Sequence, residues 1–202
     1  MTAPAWRRGV LFGALLVLGA GYIAAYALFV THSENFIVVQ RNRQATLFSQ
    51  AHPLLPPATL TFGSSGHDNA YLGNGWIMLR DHHGMWMAAN DALVMLATAP
   101  RNADRVLSLQ TMVATTPQQP RNRVEVSVNG HVLGSWERGG PDGMTPIAVR
   151  VPGALVRTGM LRVKIHVDRL ASLYRQDVGD SRDGQHVGIT AISLDQVDSA
   201  PH

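Results

Sequence analysis

The sequence predicts an all-β fold, an antiparallel β-sandwich of jelly-roll type, set behind a single N-terminal transmembrane helix. Three observations predict it. One uninterrupted apolar run near the start has the length of a membrane span, Gly9 to Val30. From Thr59 onward the apolar residues come instead in short runs separated by Gly, Pro, Asn and Asp. Several of those runs alternate apolar and polar, the period of a strand with one face buried, and no long amphipathic helical pattern follows the anchor.

The anchor comes first. Gly9 to Val30 contains no charge, Asn, Gln or Pro. Its 22 residues make about 33 Å of helix at about 1.5 Å rise each, against a hydrocarbon core of about 30 Å. Trp6, Arg7 and Arg8 precede it, an interfacial aromatic and two cations that the positive-inside rule keeps in the cytoplasm. Residues 1–8 are then a cytoplasmic tail and everything after Val30 lies outside. The competing reading is a cleaved signal peptide, because Ala25-Tyr26-Ala27 is a small-x-small triplet. The apolar run is longer than a signal-peptide core and continues through Leu28, Phe29 and Val30, past that cut.

Residues 31–57 read as a stalk. Phe36-Ile37-Val38-Val39 is a short apolar run and Gln40 to Gln44 is polar. Helix and strand are not separable over so few residues. His52-Pro53 and Pro56-Pro57 stop any helix, since the residue before proline is pushed out of the α region. The sandwich is expected over 58–196, with a frayed tail at 197–202.

Strands are expected at Thr59–Phe62, Trp76–Leu79 and Met85–Met87. Ala92 to Leu96 is nearly all apolar and reads as a central strand buried on both faces. Val106 to Val113 alternates. Val124, Val126 and Val128 alternate with Arg123, Glu125 and Ser127, and Asn129-Gly130 is the dipeptide that a type I′ turn requires, so a hairpin returns through Val132 to Trp136. Ile147, Val149 and Val151 form another strand. Leu161, Val163, Ile165 and Val167 alternate with Arg162, Lys164, His166 and Asp168, one dry face and one wet face. Val187 to Leu194 closes the domain, after a long polar segment, Arg169 to Gln185.

Composition removes several function classes. The chain has 202 residues and no cysteine, so thiolate metal sites, iron–sulfur clusters and a cysteine nucleophile are absent. The formal charge is +3. Without Arg7 and Arg8 the exported part is near about +1 and its cations are scattered, which is no nucleic-acid footprint. No Gly-x-Ser-x-Gly elbow, Gly-x-Gly-x-x-Gly or phosphate loop occurs.

Four groups of residues remain as chemistry. Asp81-His82-His83, with His67-Asp68, is dense in ligand types but matches no zinc spacing and reads as polar turns. Asp177, Asp180 and Asp183, in the loop Gln176 to Gly184, are the candidate ligands of a structural calcium, because hard cations take several carboxylate oxygens from one loop. Outside that loop no cofactor is expected. Trp136, beside Glu137-Arg138 and the glycine-rich loop 139–143, is the candidate ring for stacking on a ligand. Tyr174 and Arg175 are candidates for the other wall.

Taken together, Gly75-Trp76, the turn ending in Gly84, Trp86 and Ala92-Leu93-Val94 resemble the first strands of galactose-binding-like, carbohydrate-binding-module-like β-sandwiches in bacterial envelope polysaccharide proteins, where they are appended to membrane glycosyltransferase-like chains. Val124-Glu125-Val126-Ser127-Val128-Asn129-Gly130 is similar to their V-x-V-x-x-N-G strand. Asp183-Gly184-Gln185-His186-Val187-Gly188-Ile189 is similar to their closing strand, with the arginine displaced to Arg182. The resemblance spans about residues 70–194 and implies a non-catalytic accessory of cell-surface polysaccharide synthesis or export. Such a protein would sit in the bacterial inner membrane with its C-terminal domain in the periplasm, binding polysaccharide or a synthase or export subunit. The alternatives are an assembly subunit of an inner-membrane complex without glycan affinity, and an envelope glycan hydrolase or esterase.

Overall fold

The structure is a computed structural model that describes residues 5–78, 84–114, 120–139, 145–168 and 186–196. Two compact units divide it, Met1–Gln40 and Arg41–His202.

The first unit holds most of helix α1, Ala5–Ala51. Its described side chains over 13–29 are all exposed, among them Leu15, Leu16, Val17, Leu18, Ile23, Leu28 and Phe29. Among the described residues no helix is long and apolar enough to cross a membrane. The side chains of residues 9–12 and 30, five of the 22 assigned to the anchor, lie outside the described ones.

The second unit opens with the end of α1, so residues 41–57, read from sequence as stalk, pack on the sandwich. The helix stops at Ala51, where His52-Pro53 ends it. Its last turn is pinned by rings. His52 stacks on Phe48 with centroids 4.4 Å apart, and Tyr71 meets Phe48 edge-on at 5.1 Å. The Tyr71 hydroxyl donates to the carbonyl of His52 at 2.8 Å. Burial, with Asp68 nearby adding to it, pushes the Tyr71 phenol above its ordinary range.

The strands are β1 (Ala58–Thr61), β2 (Trp76–Ile77), β3 (Met85–Met87), β4 (Asp91–Ala97), β5 (Arg105–Ala114), β6 (Asn122–Val128), β7 (His131–Arg138), β8 (Ile147–Val151), β9 (Met160–Val167) and β10 (His186–Gln196). A short helix α2 (Gly153–Val156) follows β8. One sheet runs β2-β3-β10-β5-β8, with β1 also on β10, and the other runs β4-β9-β6-β7. Every strand pair in them is antiparallel. The core between the sheets is built from the alternating apolar positions: Val124, Val126 and Val128, Leu161 to Val167, Leu107 and Leu109, Ile147 to Val151, and Ile189, Ile192 and Leu194.

The hairpin has the register that its turn dictates. Val128 faces His131 across Asn129-Gly130, whose φ values are 51° and 85°. Asn129 is fixed further by its amide, which donates to Met160 O at 2.9 Å, and by its Oδ1, which accepts from Arg162 N–H at 2.8 Å.

One strand departs from its reading. Ala92 to Ala97 is buried on both faces as expected, yet β4 is an edge strand and not a central one. Its outer face is covered by α1 rather than by a second layer of sheet. Ala45, at 1% exposure, packs with Leu93 and Met95. A loop also approaches β4 too closely for any side chain. A Cβ on Gly75, at φ +89°, would lie 2.2 Å from the Asp91 carbonyl oxygen.

Candidate binding face

The wet side of β9 carries Arg162, Lys164 and His166, with Asp168 just past its end, while Leu161, Val163, Ile165 and Val167 are buried beneath it. Register supplies the neighbours. His166 lies between Asp91 of β4 and Glu125 of β6, and Glu125 lies beside Ser135 of β7. Asp91, His166, Glu125 and Ser135 therefore form one row across four strands, spaced at about 4.8 Å per strand. Lys164 and Ser127 start the next row, about 6.7 Å along.

Hydrogen bonds hold this row in place. The His166 Nδ1–H donates to Asp91 Oδ1 at 2.8 Å, because a carboxylate can only accept. The Lys164 ammonium lies 3.5 Å from the same oxygen, and His166 Nε2 lies 3.7 Å from Asp168 Oδ1. Arg123 Nε donates to Ser135 Oγ at 2.7 Å. The Asn90 amide ties the end of β9 through Val167 O at 2.8 Å. Asp91, Lys164 and Asp168 are about half exposed, so these ion pairs order the surface more than they stabilise the fold, each worth at most about 1 kcal/mol. What results is a patch of donors and acceptors with both signs of charge interleaved, bounded on the β4 side by Ala45 of α1 over Leu93 and Met95.

The residues singled out from sequence fall elsewhere. Trp136 lies on the inner face of β7. It sits opposite Val124, packs against the edge of the core and is half-buried. Its ring lies back over Gly134, where an added Cβ would come within 2.4 Å of it. Trp76 and Trp86 are core residues, and Trp76 Nε1–H donates to Leu93 O at 2.8 Å. Asp68 closes its own loop by accepting from Thr61 N–H at 2.8 Å. Tyr174, Arg175, Asp177, Asp180 and Asp183 lie outside the described residues, as do Asp81, His82 and His83. Among the described residues no group of three or more His, Asp or Glu is placed to hold a metal ion.

The polar row was half visible in sequence. The alternation of Arg162, Lys164, His166 and Asp168 showed the wet face. The pairing that brings Asp91 and Glu125 to either side of His166 spans residues far apart in the chain, and no local pattern encodes it.

No known protein-family pattern matches the chain, and no curated protein does. Solved structures do. The CBM36-1 domain of a multidomain xylanase from the hindgut metagenome of Trinervitermes trinervoides is 14% identical, with a TM-score of 0.39, covering 69% of this chain and 97% of that one. A CBM36 carbohydrate-binding module in complex with calcium and xylotriose is 16% identical, with a TM-score of 0.35, covering 67% and 92%. The C-terminal CBM6 of a marine laminarinase from Zobellia galactanivorans is 14% identical, with a TM-score of 0.36, covering 67% and 99%. The sandwich is similar to carbohydrate-binding modules. At these identities the likeness carries no residue and no ligand across.

Proposed function

We propose that this chain is a non-catalytic accessory of the bacterial cell envelope, anchored in the inner membrane by residues 9–30, whose periplasmic β-sandwich binds cell-surface polysaccharide on the outer face of its four-stranded sheet. The observation that carries the binding reading is the row Asp91–His166–Glu125–Ser135 with Lys164 and Arg123 beside it. Sugar hydroxyls donate and accept at once, so a patch that interleaves carboxylates, cations and a hydroxyl suits them. A nucleic acid would want one sign only. The strands lie about 4.8 Å apart, so an extended chain laid across the sheet would meet a polar group at each strand.

Two supports bear on the anchor. The run Gly9 to Val30 has spanning length. Its described side chains, 13–29, bear no charge and are exposed all round the helix, a surface suited to lipid.

A second reading, an assembly subunit without glycan affinity, is favoured by the aromatics. Among the described residues of the sandwich, the tryptophans are buried or half-buried and offer no open ring for a sugar face. Glycan arrays probed with the full chain in detergent separate the two. Binding to an extended polysaccharide supports the first reading, and silence across the array with co-purification of an inner-membrane protein supports the second. Alkaline phosphatase fused after His202 should be active; activity only from a cytoplasmic reporter at that position overturns the topology.

A further inference from the structure

The free edge of β4 is closed by groups that lie outside both sheets. Ala97 N–H donates to Ser49 Oγ, and Ala97 O accepts from Leu54 N–H at 2.7 Å. Leu93 O accepts from Gly73 N–H at 2.9 Å, and Leu93 N–H donates to Asn74 O at 3.0 Å. The loop that makes these bonds is itself held by the helix. Asn74 N–H donates to Asn42 Oδ1 at 2.8 Å, and the Arg41 guanidinium donates to Trp76 O at 3.2 Å. Ala45 then covers Leu93 and Met95 from the outer face.

What lies beneath is a hazardous strand. Ala92-Leu93-Val94-Met95-Leu96-Ala97 carries no charge, Gly or Pro. A flat apolar edge of this kind pairs readily with another chain unless it is covered. The opposite edge of the same sheet is blunted differently: β7 carries a register shift where Gly134 and Val132 face Val126 and Ser127, and a bulge of this kind turns an edge away from pairing. Nothing comparable interrupts β4, whose register with β9 is continuous.

We propose that Arg41–Leu54 is a strap over a latent self-pairing edge, and that the occupant of that edge when the strap lifts is β4 of a second copy. Register argues for this occupant. A two-fold axis at Val94 sets Leu93 against Met95 and Asp91 against Ala97. No two carboxylates then oppose each other. The backbone groups of Leu93 and Ala97 that now reach the strap and loop point to the free edge, and in this register they meet those of Met95 and Asp91 in the partner. Side chains keep their faces, because every partner pair joins two odd or two even positions. Each copy would exchange the bonds from Ser49, Leu54, Gly73, Asn74 and the Trp76 Nε1–H for a continuous ladder, so the loop from Leu72 to Trp76, which Asn42 and Arg41 hold, lifts with the strap.

The test uses the full chain in detergent micelles. One variant, Ala45→Glu, places a charge between α1 and Leu93/Met95. A second, Asn42→Ala with Ser49→Ala, removes two hydrogen bonds without adding a charge, and it keeps the test sharp should the first variant fail to fold. The chain has no cysteine, so Val94→Cys, added to each variant and to the otherwise unaltered chain, reports on the axis. The expected result is faster amide exchange at Asn74 and Ala97, about five-fold for each hydrogen bond lost, and at Leu93 as the loop lifts, together with a dimer in the strap variants that is trapped by oxidation through Cys at 94. The unstrapped register should give no such cross-link in the otherwise unaltered chain. Faster exchange without association, oligomers that lack the cross-link, or a cross-link that forms equally with the strap intact each overturn the proposal.

Discussion

Trp136 and Gly134 form a pair whose coupling can be measured. The ring lies over the glycine, two residues back on the same strand and on its inner face. Truncating a fully buried Trp to Ala costs about 3–5 kcal/mol; a half-buried one should cost about 2. For a domain of this size that lowers Tm by about 4–8 °C. Gly134→Ala in the otherwise unaltered chain drives a methyl into the ring. Because the ring tip can swing, the cost should sit at the low end of overpacking, about 1 kcal/mol. In a Trp136→Ala background the methyl has room, and replacing glycine within a strand then recovers about 0.5 kcal/mol of backbone entropy. The same substitution should therefore change sign between backgrounds, a coupling of about 1.5 kcal/mol, well outside the additivity expected of independent sites. Urea or thermal unfolding of the four chains reads it directly. A Gly134→Ala effect that is equal in both backgrounds refutes this placement of the ring.

Two further outcomes follow from the fold. A Cβ on Gly130 would meet no neighbour within 4 Å, so the first cost of Gly130→Val is conformational. A β-branched residue at φ +85° should cost about 1–2 kcal/mol and lower Tm by about 2–8 °C, and an unchanged Tm would mean a different turn. The Asp104 carboxyl accepts first from Gly153 N–H at 2.7 Å and then from Arg150 Nε at 2.5 Å, which holds it below its ordinary 3.8. A carboxyl lowered by folding adds stability above its unfolded pKa and loses it as pH falls through the folded one. Asp104→Asn should thus flatten the decline of stability below about pH 4, and an acid limb identical to that of the unaltered chain would contradict the assignment.

Much of the sandwich was legible because its signals are local. The Asn129-Gly130 turn, the alternation of Val124 to Val128 and of Leu161 to Val167, and the stop at His52-Pro53 each depend on a few neighbouring residues. What escaped was everything that depends on which strand lies beside which. Ala92 to Ala97 looked central because apolarity on both faces is the signature of a covered strand. Sequence cannot say that the cover is a helix from residues 41–51. Trp136 beside Glu137 and Arg138 reads as a half-exposed ring, and it is half-buried; what sequence does not show is that its pairing with Val124 turns it to the inner face. The polar row joins residues 91, 125, 135 and 166, and only the register of β4, β9, β6 and β7 assembles it. Tyr174, Arg175 and the carboxylates Asp177, Asp180 and Asp183 lie in a stretch without strand or helix period, beyond the described residues.

On the proposed function, the outer face of the four-stranded sheet binds an extended polysaccharide. Its most direct test is the affinity of the full chain, in detergent, for the best ligand found on a glycan array, measured beside Asp91→Ala and Glu125→Ala. Hydrogen bonds to charged groups contribute about 1.5–3 kcal/mol, so each variant should weaken binding by about ten-fold or more while melting within a few degrees of the unaltered chain. Binding that survives both substitutions unchanged would place the glycan elsewhere than on this face.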